Sequence, residues 1–130
     1  MPINHKVHPD QRRVTTTVTG LLTLDSLRTE QANFWINPEL IGYSELFDLR
    51  QAEVDDLFHT DVIKYAGEAA AHTETAKIAL LVDNERQRAA AQTYVTARRF
   101  KSNYRPCQIF DQLDQALNWL DFDDGRRSAK

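Results

Sequence analysis

Three aspartates in similar surroundings raise the first chemical question. Asp48 follows "ELF", Asp83 follows "KIALLV" and Asp111 follows "CQIF". If each apolar run is a strand of a parallel sheet, the three carboxylates gather just past the strand ends, on the edge where α/β proteins bind ligands. Oxygen donors of that kind suit Mg²⁺ and a phosphoryl group. The other reading is structural. An aspartate before a helix accepts backbone N–H bonds and contributes about 1 kcal/mol as a cap. Caps are favoured, because a phosphoryl-accepting cluster also needs an adjacent acidic pair after the first strand and a lysine after the last. Gly20 and Asp111-Gln112 stand in those places.

The other chemistry-bearing residues are scattered. Arg98, Arg99, Lys101 and Arg105 alternate with Phe100 and Tyr104 in "ARRFKSNYRP", a mixture that could stack bases and hold phosphates. Cations at a helix C-terminus also favour its dipole, and the chain carries a formal net charge of −3, so a solvated helix end is the reading taken. Nucleic acid is not expected as a partner. No two of His5, His8, His59 and His72 have the i, i+4 spacing of a helical zinc site. His5 and His8 fall on opposite faces of a strand candidate. Ser26, Ser44 and Ser102 lack a nucleophile-elbow context, and the four glycines are not clustered into a phosphate loop. No catalytic, metal or cofactor residues are assigned, and the expectation leans away from an enzyme. Cys107, the only cysteine, heads an apolar strand and reads as a small buried hydrophobe.

The elements that must position these residues follow from the periodicity. "INHKVH" and the β-branched "RVTTTVT" predict a hairpin turned at "PDQ". Residues 22–37 change to a helical period, capped by Thr23 and stopped at Asn37-Pro38. Residues 41–49 read as the next strand after a turn at Gly42. Residues 51–58 are open between a helical turn and a loop. A helix follows from Thr60–Asp61, with Val62, Ile63, Ala66, Ala69 and Ala70 on one stripe. Residues 77–83 are a continuous apolar run, as in a strand buried on both faces. A helix over 84–100, the strand "CQIF" and a helix with Leu113, Ala116, Leu117 and Leu120 at i, i+3, i+4 and i+7 complete the order. This alternation predicts a single α/β domain over 1–122, with a mostly parallel sheet, an antiparallel N-terminal hairpin and a polar tail at 123–130.

The length of 130 residues, 42% hydrophobic and 27% charged, is enough for one domain with its own core. The opening "MPINHKVHPD" has no apolar core of signal-peptide length, and no segment approaches a membrane span. A cytoplasmic location is the expectation.

Four segments in this order carry a resemblance: "TGLLTLDSL" at 19–27, "ELFDL" at 45–49, "KIALLVDN" at 77–84 and "CQIFDQLDQALNWL" at 107–120. Together they resemble the SpoIIAA-like family of small bacterial proteins, also called STAS/SEC14-like. The resemblance implies a mixed sheet with helices, as in anti-sigma-factor antagonists and lipid-exchange SEC14 domains. The phosphorylatable antagonists carry a serine at the start of the helix after the central strand. Here no serine or threonine lies between Asp48 and Phe58, so a phosphoserine switch is not supported.

Two functions are weighed. The first is a non-enzymatic regulatory or protein-interaction module, with a protein partner or self-association as a homodimer. Its surface would be the "DLRQAEVDD" segment, presenting Asp48, Arg50, Glu53, Asp55 and Asp56. The alternative is a small carrier of an apolar or lipid-like ligand, enclosed by the helices around 24–36 and 52–72. Its pocket would be lined by residues such as Leu27, Trp35, Val62 and Ala66.

Overall fold

The computed structural model describes residues 3–72, 76–99 and 106–122, with 69–72 as backbone only. The predicted tail and most of the basic stretch, including Phe100, Lys101, Ser102, Tyr104 and Arg105, lie outside these residues. The elements run β1 (Ile3–His8), β2 (Arg13–Leu21), α1 (Leu24–Asn33), β3 (Ser44–Glu53), α2 (His59–His72), β4 (Ile78–Leu81), α3 (Glu85–Arg98), β5 (Cys107–Phe110) and α4 (Leu113–Asp121).

The strands form one five-stranded sheet in the order β1-β2-β3-β4-β5. β1 pairs with β2 antiparallel, and all later pairs are parallel. The predicted α/β class with an N-terminal antiparallel hairpin is therefore the observed one. Sequential parallel neighbours joined by crossovers of one hand place α1, α2 and α3 on a single face. Packing agrees: Leu27 of α1 and Ala91 and Val95 of α3 share a core with Val18, Leu49, Ile78 and Leu80. The alternate strand residues Leu46, Ala79 and Leu81 face the other way, onto Ala116 and Leu120 of α4. The period of two along each strand thus sorts the chain into two apolar layers.

Local chemistry explains most boundaries. Thr23 starts α1 with a capping box, its hydroxyl accepting from the Ser26 N–H while the Ser26 side chain accepts from the Thr23 N–H. Gly42 takes φ +85, a conformation that side chains adopt at a cost, and turns the chain into β3. Buried Lys77 donates to the carbonyls of Trp119 at 3.0 Å and Phe122 at 2.7 Å, so a cation satisfies the C-terminal end of α4.

Two expectations need correction. Asp48 does not end a strand, because β3 continues to Glu53. β2 advances from Thr17 to Thr19 while β3 advances from Asp48 to Gln51, so β3 bulges by one residue. The Asp48 carboxylate accepts the Arg50 N–H at 3.0 Å and takes the Arg50 guanidinium fork at 3.0 and 2.9 Å, which fixes the bulge. Nor do Asp83 and Asp111 cap the next helices. Asn84 caps α3 by accepting from the Gln87 N–H at 2.9 Å, and Gln112 precedes α4 at the N-cap with no side-chain cap bond. Asp111 lies 3.6 Å from Arg88 instead.

Candidate functional site

β3 pairs with β4 only from Glu45 to Asp48. Beyond that point its β4-facing edge has no strand beside it among the described residues. Gln87, from the first turn of α3, supplies the missing donors. Its amide donates to the carbonyls of Ala52 at 3.0 Å and Arg50 at 3.3 Å, and its Oε1 accepts the Asp83 N–H at 2.7 Å. Fully buried, it acts as a substitute strand.

The five charged residues expected on this segment do not act as one group. Asp48 and Arg50 hold each other within β3. Asp55 pairs with Arg86 of α3. Glu53, the last residue of β3, and Asp56, in the following turn, are exposed. Asp48, Asp83 and Asp111 do not converge, and among the described residues no group of three histidine, cysteine or carboxylate side chains comes together as a metal site.

A second site lies between the sheet and helices α1 to α3. Here an apolar cavity of about 50 Å³ is lined by Leu27, Phe47, Leu57, Val62 and Leu80, among others. Its polar lining is Glu45, Tyr65 and Tyr94. Leu27 and Val62, expected to line an apolar pocket, do so. Trp35 packs instead with Val14 and Leu40, and Ala66 is fully buried in α2 outside the lining.

The polar groups here are hydrogen-bonded in short sets. Glu45 projects to the helix side, in phase with Phe47 and Leu49, and is buried. Thr16 of β2 donates to Glu45 Oε2 at 2.6 Å. His5 of β1 pairs in register with Thr16, and its Nδ1 lies 2.9 Å from the Thr16 hydroxyl. His5 Nε2 is hydrogen-bonded to Glu30 of α1, and its ring stacks on Phe34 at 3.7 Å. On the other side Arg98 Nη1 donates to the Tyr94 hydroxyl at 3.2 Å. Tyr65 donates to Gln31 at 3.1 Å.

Burial governs the electrostatics. It pushes the Glu45 carboxyl up to about 7, against the opposing pull of the Thr16 hydrogen bond and the Arg98 charge. It holds His5 below the ordinary imidazole value, partly offset by Glu30. It raises the Tyr65 and Tyr94 phenols, and it lifts the Cys107 thiol to about 11. A buried carboxyl raised towards neutrality, beside two tyrosines in an apolar cavity, marks this as the candidate site.

Arg98 corrects another expectation. Read as part of a solvated helix end, it is instead completely buried. Among the described residues its Nε and Nη2 have no hydrogen-bond partner, and buried donors left in that state cost about 1–3 kcal/mol each. The sequence held a signal for this residue: Ala91, Val95 and Arg98 recur at i, i+4 and i+7, the inner face of α3. Glu45 was equally open to detection, since it alternates with Phe47 and Leu49 on a core-facing row. No family model matches the chain, and no curated protein matches it.

Proposed function

We propose that this chain is a non-enzymatic regulatory module of STAS-like fold that binds a small, mainly apolar molecule between its sheet and its helices. The observation that carries the reading is the cavity itself, with apolar walls and three convergent polar groups, Glu45, Tyr65 and Tyr94. The volume of about 50 Å³ is well below the roughly 300–1,000 Å³ of drug-sized ligand sites. A body of a few carbon atoms suits it, whereas a long acyl chain does not. Support for the STAS-like fold is the consecutive order β1 to β5, with α1 to α3 on one face and α4 on the other.

Titration calorimetry with short-chain amides and alcohols tests this reading. Saturable binding is expected, and it should vanish when Leu80→Trp fills the cavity. A folded wild-type protein that takes up none of them contradicts it.

A second reading has its own observation. β3 overhangs β4, is sealed from within by Gln87 and displays Asp48, Arg50, Glu53, Asp55 and Asp56 on a braced backbone. This favours a surface for a protein partner or a second copy of the chain. Light scattering after size exclusion, together with affinity capture, tests it. The Arg50→Glu/Asp55→Arg variant should stay folded and lose the complex, while Lys6→Glu on the far edge strand should keep it. A complex that survives the double change places the surface elsewhere.

A further inference from the structure

A chain of three hydrogen bonds runs from α1 to the cavity. Glu30 of α1 is bonded to His5 Nε2 and keeps 14% of its side chain open to water. His5 Nδ1 lies 2.9 Å from the hydroxyl of Thr16, its cross-strand neighbour. That hydroxyl lies 2.6 Å from Oε2 of Glu45, which lines the cavity. Thr16 pairs with Phe47 of β3, so Glu45 is its diagonal neighbour on the same face.

Three hydrogen bonds need three protons. The Thr16 hydroxyl supplies one, and a neutral His5 ring supplies a second. Both ends of the chain are carboxyl groups, which only accept when ionised. The chain therefore holds a third proton, on Glu45, His5 or Glu30. With that proton on Glu45, the acid donates to Thr16, Thr16 donates to Nδ1, and Nε2–H donates to Glu30. Transfer breaks the Glu45 O–H bond and forms a new O–H bond at Thr16. The original Thr16 O–H bond breaks as an N–H bond forms at Nδ1. His5 is then an imidazolium between two carboxylates, and its Nε2 proton can cross to Glu30, the end that meets water. All three hydrogen bonds persist in each arrangement.

We propose that Glu45, Thr16, His5 and Glu30 form a proton relay that exchanges protons between the cavity and water at Glu30. The relay stands on these hydrogen bonds whether or not a molecule occupies the cavity. Its surroundings bias where the third proton rests. Burial disfavours charge on Glu45 and on His5, while Glu30 favours charge on the ring. Glu45 also interacts with Arg98 and Tyr94 of α3, Tyr65 of α2 and Cys107 of β5. Burial keeps both phenols and the thiol protonated near pH 7, and Arg98 carries its charge throughout. Lys6 and His8 take the other phase of β1 and fall on the opposite face from His5.

NMR of the ligand-free protein from pH 4 to pH 9 tests the relay, with ¹³C reporting the Glu45 carboxyl and ¹⁵N the His5 ring. The carboxyl and both ring nitrogens should change over one shared pH range. Thr16→Val should split that range into two separate transitions, and Thr16→Ser, which keeps the hydroxyl, should leave it shared. Glu30→Gln distinguishes a relay from an effect through space. Through space, removing a negative charge favours ionisation of Glu45 and lowers its midpoint. In a relay, removing the far carboxylate disfavours the imidazolium and leaves the proton on Glu45, so the midpoint should rise by about one pH unit. Should Thr16→Val not fold, the Thr16→Ser and Glu30→Gln results decide. Separate transitions in the wild type, unchanged curves in a folded Thr16→Val, or a Glu45 midpoint that falls or stays in Glu30→Gln would each overturn the relay and leave the cavity-binding reading standing.

Discussion

The Thr16 hydroxyl donates to Glu45 Oε2 at 2.6 Å inside the interface between sheet and helices. Two adjacent strands thereby hold a carboxyl group where their alternation calls for an apolar side chain. With His5 and Glu30 to one side and Arg98 and Tyr94 to the other, this pair organises a polar layer through an otherwise apolar core. The same carboxyl also lines the cavity between sheet and helices.

Glu45 makes stability depend on pH. Its folded value of about 7 exceeds the ordinary 4.5, so the native state binds the extra proton between those limits. The contribution is fully present below pH 4.5 and is lost as pH rises through 7. The total is on the order of 3 kcal/mol, from the shift between 4.5 and about 7. His5 acts oppositely: its lowered value costs stability as pH falls below the ordinary imidazole range. Urea unfolding at pH 5 and pH 8 should show the Glu45 slope in the wild type, and Glu45→Gln should flatten it.

Gln87→Ala should be among the most destabilising polar truncations. It strips donors from the carbonyls of Arg50 and Ala52 and an acceptor from the Asp83 N–H. A loss of about 3 kcal/mol is expected. Amide exchange should also accelerate over residues 49–53 while the β1–β2 pairing keeps its protection.

Thr23→Ala removes the hydroxyl half of the α1 capping box. About 1 kcal/mol of stability should go, read from a lower denaturant midpoint at constant slope. Thr23→Asp should restore most of it.

Cys107 should be inert in the folded protein. With its thiol raised to about 11 from 9, it carries about a hundredfold less thiolate at pH 8 than an ordinary cysteine. Timed alkylation, with and without denaturant, should show labelling that follows unfolding.

Much of the fold is legible in the sequence because it rests on local chemistry. Thr23 announces the start of α1, the run "RVTTTVT" announces β2, and the stripe of Ala116, Leu117 and Leu120 announces the buried face of α4. What is hidden depends on neighbours distant in the chain. Asp48 looks like a strand end because the bulge it braces is defined only by the register with β2. Gln87 looks like a surface residue until the short β4 exposes the β3 edge that it covers. Arg98 sits where a helix ending in cations is common, and its burial is decided by β3, β5 and α2 folding over it. Among the described residues no helix is long and apolar enough to cross a membrane.

The most direct test is to follow the Glu45 side-chain carboxyl by ¹³C NMR from pH 4 to pH 9. A midpoint near 7 is the expected result, since burial disfavours the ionised form of this carboxyl. A midpoint near the ordinary 4.5 would contradict the account of a buried acid held in the apolar interface between sheet and helices.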